Sequence, residues 1–148
     1  MTIETRNPRT DVERNFRYAA IAFVVALALH GADHLRRGMN VVPHAVMLAG
    51  AIQLVMAAIT VVLVFRRSSA APHFALWVGT LSAIGFTAAH LLPTWGFFSD
   101  SFINAPPQAR VTWFSWTTAL LEITADVVFA LTAYALLRPR RNATSDVA

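Results

Sequence analysis

The stretch PHAVMLAGAIQLVMAAITVVLVF, Pro43–Phe65, decides the fold: it carries no Asp, Glu, Lys or Arg from end to end. A bilayer core of about 30 Å is crossed by roughly 20 mostly apolar residues in a helix. In lipid every backbone N–H and C=O must be satisfied internally, so a span of this length is a helix and not a barrel strand. Outward from it, three more stretches meet the same test: Phe16–Leu35, Phe74–Leu92 and Thr112–Leu137. Of 148 residues, 56% are hydrophobic and only 14% charged, which suits a polytopic membrane protein and leaves little chain for a soluble domain. The expectation is an all-α, integral membrane, antiparallel four-helix bundle. It divides into a polar N-terminal tail (1–15), a four-span domain (16–137) and a polar C-terminal tail (138–148).

The net charge of +4 comes from arginines that stand in short blocks beside the spans. That pattern reports topology and offers no basic face for nucleic acid. Arg6, Arg9, Arg14, Arg17, Arg66, Arg67, Arg138, Arg140 and Arg141 fall on one side of a four-span chain, against Arg36, Arg37 and Arg110 on the other. By the positive-inside rule both termini are cytoplasmic. The lack of lysine together with abundant alanine suggests a GC-rich genome, and the expected location is a bacterial plasma membrane. With no cysteine, disulfides, thiolate metal sites and thiol redox chemistry are excluded.

Ionisable side chains at membrane depth are costly, and they mark functional sites unless they pair or reach water. His30, Asp33 and His34 lie in the first span, His90 in the third, and Glu122 and Asp126 in the fourth. At about 1.5 Å of rise per residue from the cytoplasmic side, His30 stands about 21 Å up, Glu122 about 22 Å, His90 about 24 Å and His34 about 27 Å. Asp126 is lower, at about 16 Å, and His44 reaches the outer surface at about 31 Å. Several helices thus send imidazoles and carboxylates to one level in the outer half of the bilayer. Residues three and four apart share a helix face, so His30, Asp33 and His34 form one stripe, and Glu122 and Asp126 another.

Two imidazoles in an H-x-x-x-H pair can bind one ion, and a facing carboxylate can complete the shell or orient the ligands from behind. The candidate metal ligands are His30, His34, His90 and Glu122. Glu122 and Asp126 are the candidate catalytic groups. Asp33, His44, Gln53 and Asp126 are the candidates for a supporting shell or proton relay. An imidazole and carboxylate set without thiolate suits zinc or iron better than copper. Such an ion would act at the outer leaflet on a lipid-like molecule entering between helices.

Two other classes fit the same residues. One is haem b held by two histidines, with His30 and His90 at compatible depth and a quinone as redox partner. The other is an accessory subunit, or a proton- or cation-relay module, in a homo-oligomer or larger membrane complex. Bland readings exist as well: Asp33 and His34 as a hydrated helix end beside Arg36 and Arg37, and Glu122 and Asp126 as interhelical glue to His30 and His90. His73 reads as a surface residue, and Gly79 and Ala83 as a packing face. The aromatic loop Pro93–Val111 reads either as headgroup-layer chain or as a lid over the polar cluster.

Overall fold

The computed structural model describes residues 8–139, and among these every regular element is helical. Helix α1 spans Pro8–Arg37, α2 His44–Phe65, α3 Ala71–Phe86 and α4 Trp113–Leu137. A π-helical turn, Thr87–Leu91, prolongs α3, so the four membrane-length apolar segments are Thr10–Arg37, His44–Phe65, Ala71–Leu91 and Trp113–Leu137. The start of α1, the end of α2, the start of α3 and the end of α4 line one cavity, so successive helices run antiparallel. The chain is a four-helix membrane bundle.

Helix α1 begins at Pro8, well before the expected span, and residues 10–15 are helical where a tail was expected. Hydropathy marks the apolar stretch and not the helix. Proline suits a first helical position, and an ion pair of Asp11 with Arg14 at 2.7 Å supports the polar turns that follow. Residues 1–7 and 140–148, about half of the expected N-terminal tail and most of the expected C-terminal one, lie outside the described residues.

The helices meet along one stripe each. On α1 the inward residues are Phe16, Ala19, Ala20, Phe23, Ala26, His30, Asp33 and Arg37, a heptad-like spacing that changes from apolar to polar halfway along. On α4 the same change runs in reverse, from Ser115, Thr118, Glu122 and Asp126 to Phe129, Ala130 and Ala133. At the apolar end Phe129 stacks between Phe16 and Phe23, with ring centroids 5.5 and 5.0 Å apart. Lipid tails are as apolar as leucine, so helix association relies on close packing of small residues. At Gly79 of α3 an added Cβ would stand 2.7 Å from the Asp126 carbonyl oxygen and 3.2 Å from the Ala130 Cβ.

The turns follow from local chemistry. Helix α2 ends in a Schellman motif, with Ser68 N–H bonded to the Leu63 carbonyl and Arg67 N–H to that of Val64, both at 3.0 Å. Helix α4 opens with a capping box in which Thr112 and Ser115 satisfy each other's backbone N–H groups. These turns leave the polar halves of α1 and α4 facing each other under the long loop that joins α3 to α4.

Candidate metal centre

His30 and His34 are one helical turn apart on the inward face of α1, and their Nε2 atoms approach to 3.0 Å. At that distance one imidazole donates and the other accepts, so both rings turn the same nitrogen inward. His90 comes to them from the π-helical turn. Its ring centroid is 4.9 Å from that of His30 and 5.7 Å from that of His34. One nitrogen from each of the three lies within 4.8 Å of the others. His30 and His90 are buried, and His34 is half-buried. Two nitrogens bound tetrahedrally to zinc at about 2.0–2.1 Å lie about 3.4 Å apart. The α1 pair already stands near that edge length, and the cluster as a whole is slightly wider.

Each ring has its own surroundings. His90 Nδ1 lies 3.1 Å from the backbone carbonyl oxygen of Asp100, which only accepts, so Nδ1 carries the proton and Nε2 keeps its lone pair. His30 Nδ1 faces Glu122 Oε2 across 3.9 Å, beyond hydrogen-bond reach. Phe86 packs edge-on against His30 at 5.0 Å, and Phe102 lies 4.7 Å from His90. Aromatic rings thus pack directly on His30 and His90.

The carboxyl groups behave differently from one another. Asp33 is buried, and its Oδ1 accepts from Arg36 Nε at 3.0 Å, Arg36 Nη2 at 2.8 Å and Ser115 Oγ at 3.1 Å. It ties the end of α1 to the start of α4, which is not the role of a freely hydrated helix end. Glu122 and Asp126 are fully buried, and among the described residues none of their four carboxyl oxygens takes part in a hydrogen bond. As interhelical glue they would show such bonds. Gln53 donates to Ser82 Oγ at 3.0 Å and so joins α2 to α3. His44 is exposed at the start of α2, and His73 is exposed at the start of α3, by the opposite end of the bundle. The structure therefore brings His30, His34, His90 and Glu122 together, and leaves His44 on the surface.

Three participants were not picked out from the sequence. Arg37 is fully buried and grips Asp100 with two bonds of 2.7 Å, while its Nε donates to the Ala109 carbonyl at 2.8 Å. The Phe102 ring lies between Arg37, 5.2 Å from the guanidinium carbon, and His90. Backbone bonds from Asp100 N to the Ala89 carbonyl and from Phe102 N to the His90 carbonyl, at 3.0 and 2.9 Å, seat the loop on the π-helical turn. The middle of the loop is thus a lid on the histidines, although Trp95, Phe97 and Phe98 remain exposed. One signal in the sequence pointed to this. Arg37 continues the spacing of His30, Asp33 and His34 by one more turn, and Asp100 is the only carboxylate of the long loop.

Comparison with protein families, with curated proteins and with solved structures gave no match.

Proposed function

We propose that the chain is a membrane metalloprotein that holds one transition-metal ion through His30, His34 and His90. The observation that carries this reading is the convergence of three imidazole nitrogens within 4.8 Å at a buried place. Zinc and iron suit a set of neutral imidazoles with no thiolate better than copper does. Glu122 faces Nδ1 of His30 at 3.9 Å, the nitrogen opposite the one shared with His34, so it stands behind that ring, without a hydrogen bond to it, instead of filling a coordination position. The Asp100 carbonyl orients His90 directly by accepting its Nδ1 proton.

Three protein ligands leave a position open for water or a substrate oxygen, which the bound ion would polarise. In this reading Glu122 acts as a base only by way of the His30 ring that it faces, with Asp126 one turn deeper. By the positive-inside rule the arginine distribution favours cytoplasmic termini and histidines in the outer half of the bilayer. At that depth the substrate class is a lipid-like molecule entering from the bilayer. Haem b is less well supported. Its two axial imidazoles sit on opposite faces of a porphyrin, whereas the His30 and His90 rings touch each other at 4.9 Å. A relay module in a larger complex is favoured by one observation, the buried carboxyls of Glu122 and Asp126, which make no hydrogen bond among the described residues.

Elemental analysis and an absorption spectrum of the detergent-purified chain test the proposal. About one equivalent of metal is expected, lost in both His30→Ala and His90→Ala and retained in His73→Ala. Equal metal content in all three variants would refute the site, and a Soret band lost with His30 would replace the bare ion by haem.

A further inference from the structure

At the end of the bundle opposite the histidines, the four helix ends enclose a cavity of about 780 Å³. Its floor is apolar, formed by Phe16 of α1, Val64 of α2 and Leu136 of α4. Its rim carries three arginines from three separate parts of the chain: Arg17, Arg67 and Arg138. One carboxylate, Glu13, also lines it, so the cationic side chains outnumber the anionic ones there.

We propose that this cavity is a binding site for the headgroup of an anionic phospholipid, with the phosphodiester held by Arg17, Arg67 and Arg138 and the glycerol and upper acyl carbons laid on Phe16 and Val64. Three observations support it. Like charges gathered around one cavity repel unless an anion answers them, and guanidinium groups match phosphate oxygens two at a time. The volume lies in the range of small-molecule sites, about 300–1,000 Å³, which an inorganic phosphate would underfill. The cavity opens at the helix ends, the level at which basic pockets between membrane helices take headgroups.

Among the described residues no hydrogen bond or ion pair takes up the terminal nitrogens of these arginines. Arg17 uses Nε on the Glu13 carbonyl at 3.4 Å, and Arg138 stacks on the Tyr134 ring at 5.0 Å. Arg67 occupies the left-handed position of the α2 Schellman turn, with φ of 56°, where glycine or asparagine is usual. An arginine kept there brings a third cation to the cavity.

The test uses the full chain in detergent, titrated separately with short-chain phosphatidylglycerol, short-chain phosphatidylcholine and inorganic phosphate, with bound lipid read by native mass spectrometry and the thermal midpoint followed. The expected result is one retained phosphatidylglycerol and a raised midpoint, with neither effect from the other two probes. The double variant Arg67→Gln/Arg138→Gln should bind phosphatidylglycerol about thirtyfold more weakly. The control Arg14→Gln/Arg66→Gln removes two charges outside the cavity lining and should bind as the wild type does. Glutamine at position 67 asks no more of the left-handed turn than arginine does, so the variant keeps its fold, as circular dichroism will verify. Equal binding of phosphatidylcholine, an equal response to inorganic phosphate, no retained lipid, or equal losses in the two double variants would each overturn the proposal.

Discussion

The nitrogen that His90 presents is settled by a residue in the lid, because the Asp100 carbonyl takes the Nδ1 proton. Asp100 is in turn fixed by Arg37, and the two form a fully desolvated bidentate pair. Removing one member of such a pair strands the other charge, at a cost of about 3–5 kcal/mol, whereas replacing both by apolar residues is often neutral. Arg37→Met and Asp100→Leu should therefore each lower the thermal midpoint sharply, while Arg37→Met/Asp100→Leu recovers most of the loss. Additive losses in the double variant would show that the pair is not the clasp of the lid. This clasp was half legible in the sequence. The helical spacing of His30, Asp33, His34 and Arg37 fixes a common face, but no local rule says which loop residue will meet it. The same holds for Glu122. Its depth was readable from the rise of a helix, whereas its position behind His30 depends on the rotation of α4, which hydropathy leaves open.

At the scale of elements, the site depends on how closely α3 approaches α4, since the π-helical turn that prolongs α3 carries His90 and α4 carries Glu122. Gly79 sets that approach, because a Cβ would meet the Asp126 carbonyl oxygen at 2.7 Å. Gly79→Ala should cost about 1–3 kcal/mol through forced separation of the two helices, in spite of alanine's better helix propensity. Gly85 lies on the same helix with nothing within 4 Å of an added Cβ, and Gly85→Ala should leave the midpoint unchanged or slightly raised. Matched thermal denaturation of the two variants in one detergent checks this, and equal effects would remove the packing role from Gly79. The small-residue face was visible in the sequence through its spacing. The π-helical turn at Thr87–Leu91 was not, because an extra residue in a helical turn has no composition of its own and is set by the lid bonds to Ala89 and His90.

For the whole molecule, the four spans followed from hydropathy because the bilayer imposes a length that few other structures need. What hydropathy does not give is the seam between helices. Exposed apolar side chains such as Leu48, Ile52 and Trp77 look the same in composition as buried ones, since lipid and protein interior select for similar residues. The orientation across the membrane rests on charge alone. Arg17, Arg66, Arg67 and Arg138 stand by one end of the bundle, and Arg36, Arg37 and Arg110 by the other. Of the second group, Arg37 is buried against Asp100 and Arg36 is bonded to Asp33, so these charges are neutralised within the fold. Arg14 at the other end is likewise paired with Asp11, and the positive-inside rule counts arginines whatever their partners, so it is the count alone that favours placing the histidine end away from the cytoplasm. Because the chain has no cysteine, single cysteines report position without background. Gln108→Cys, in the exposed part of the lid loop, should react with a membrane-impermeant maleimide in intact cells. Ser69→Cys, in the turn between α2 and α3, should react only after the membrane is opened. The reverse pattern would place the histidine cluster in the cytoplasmic half and would move the proposed substrate to the inner leaflet.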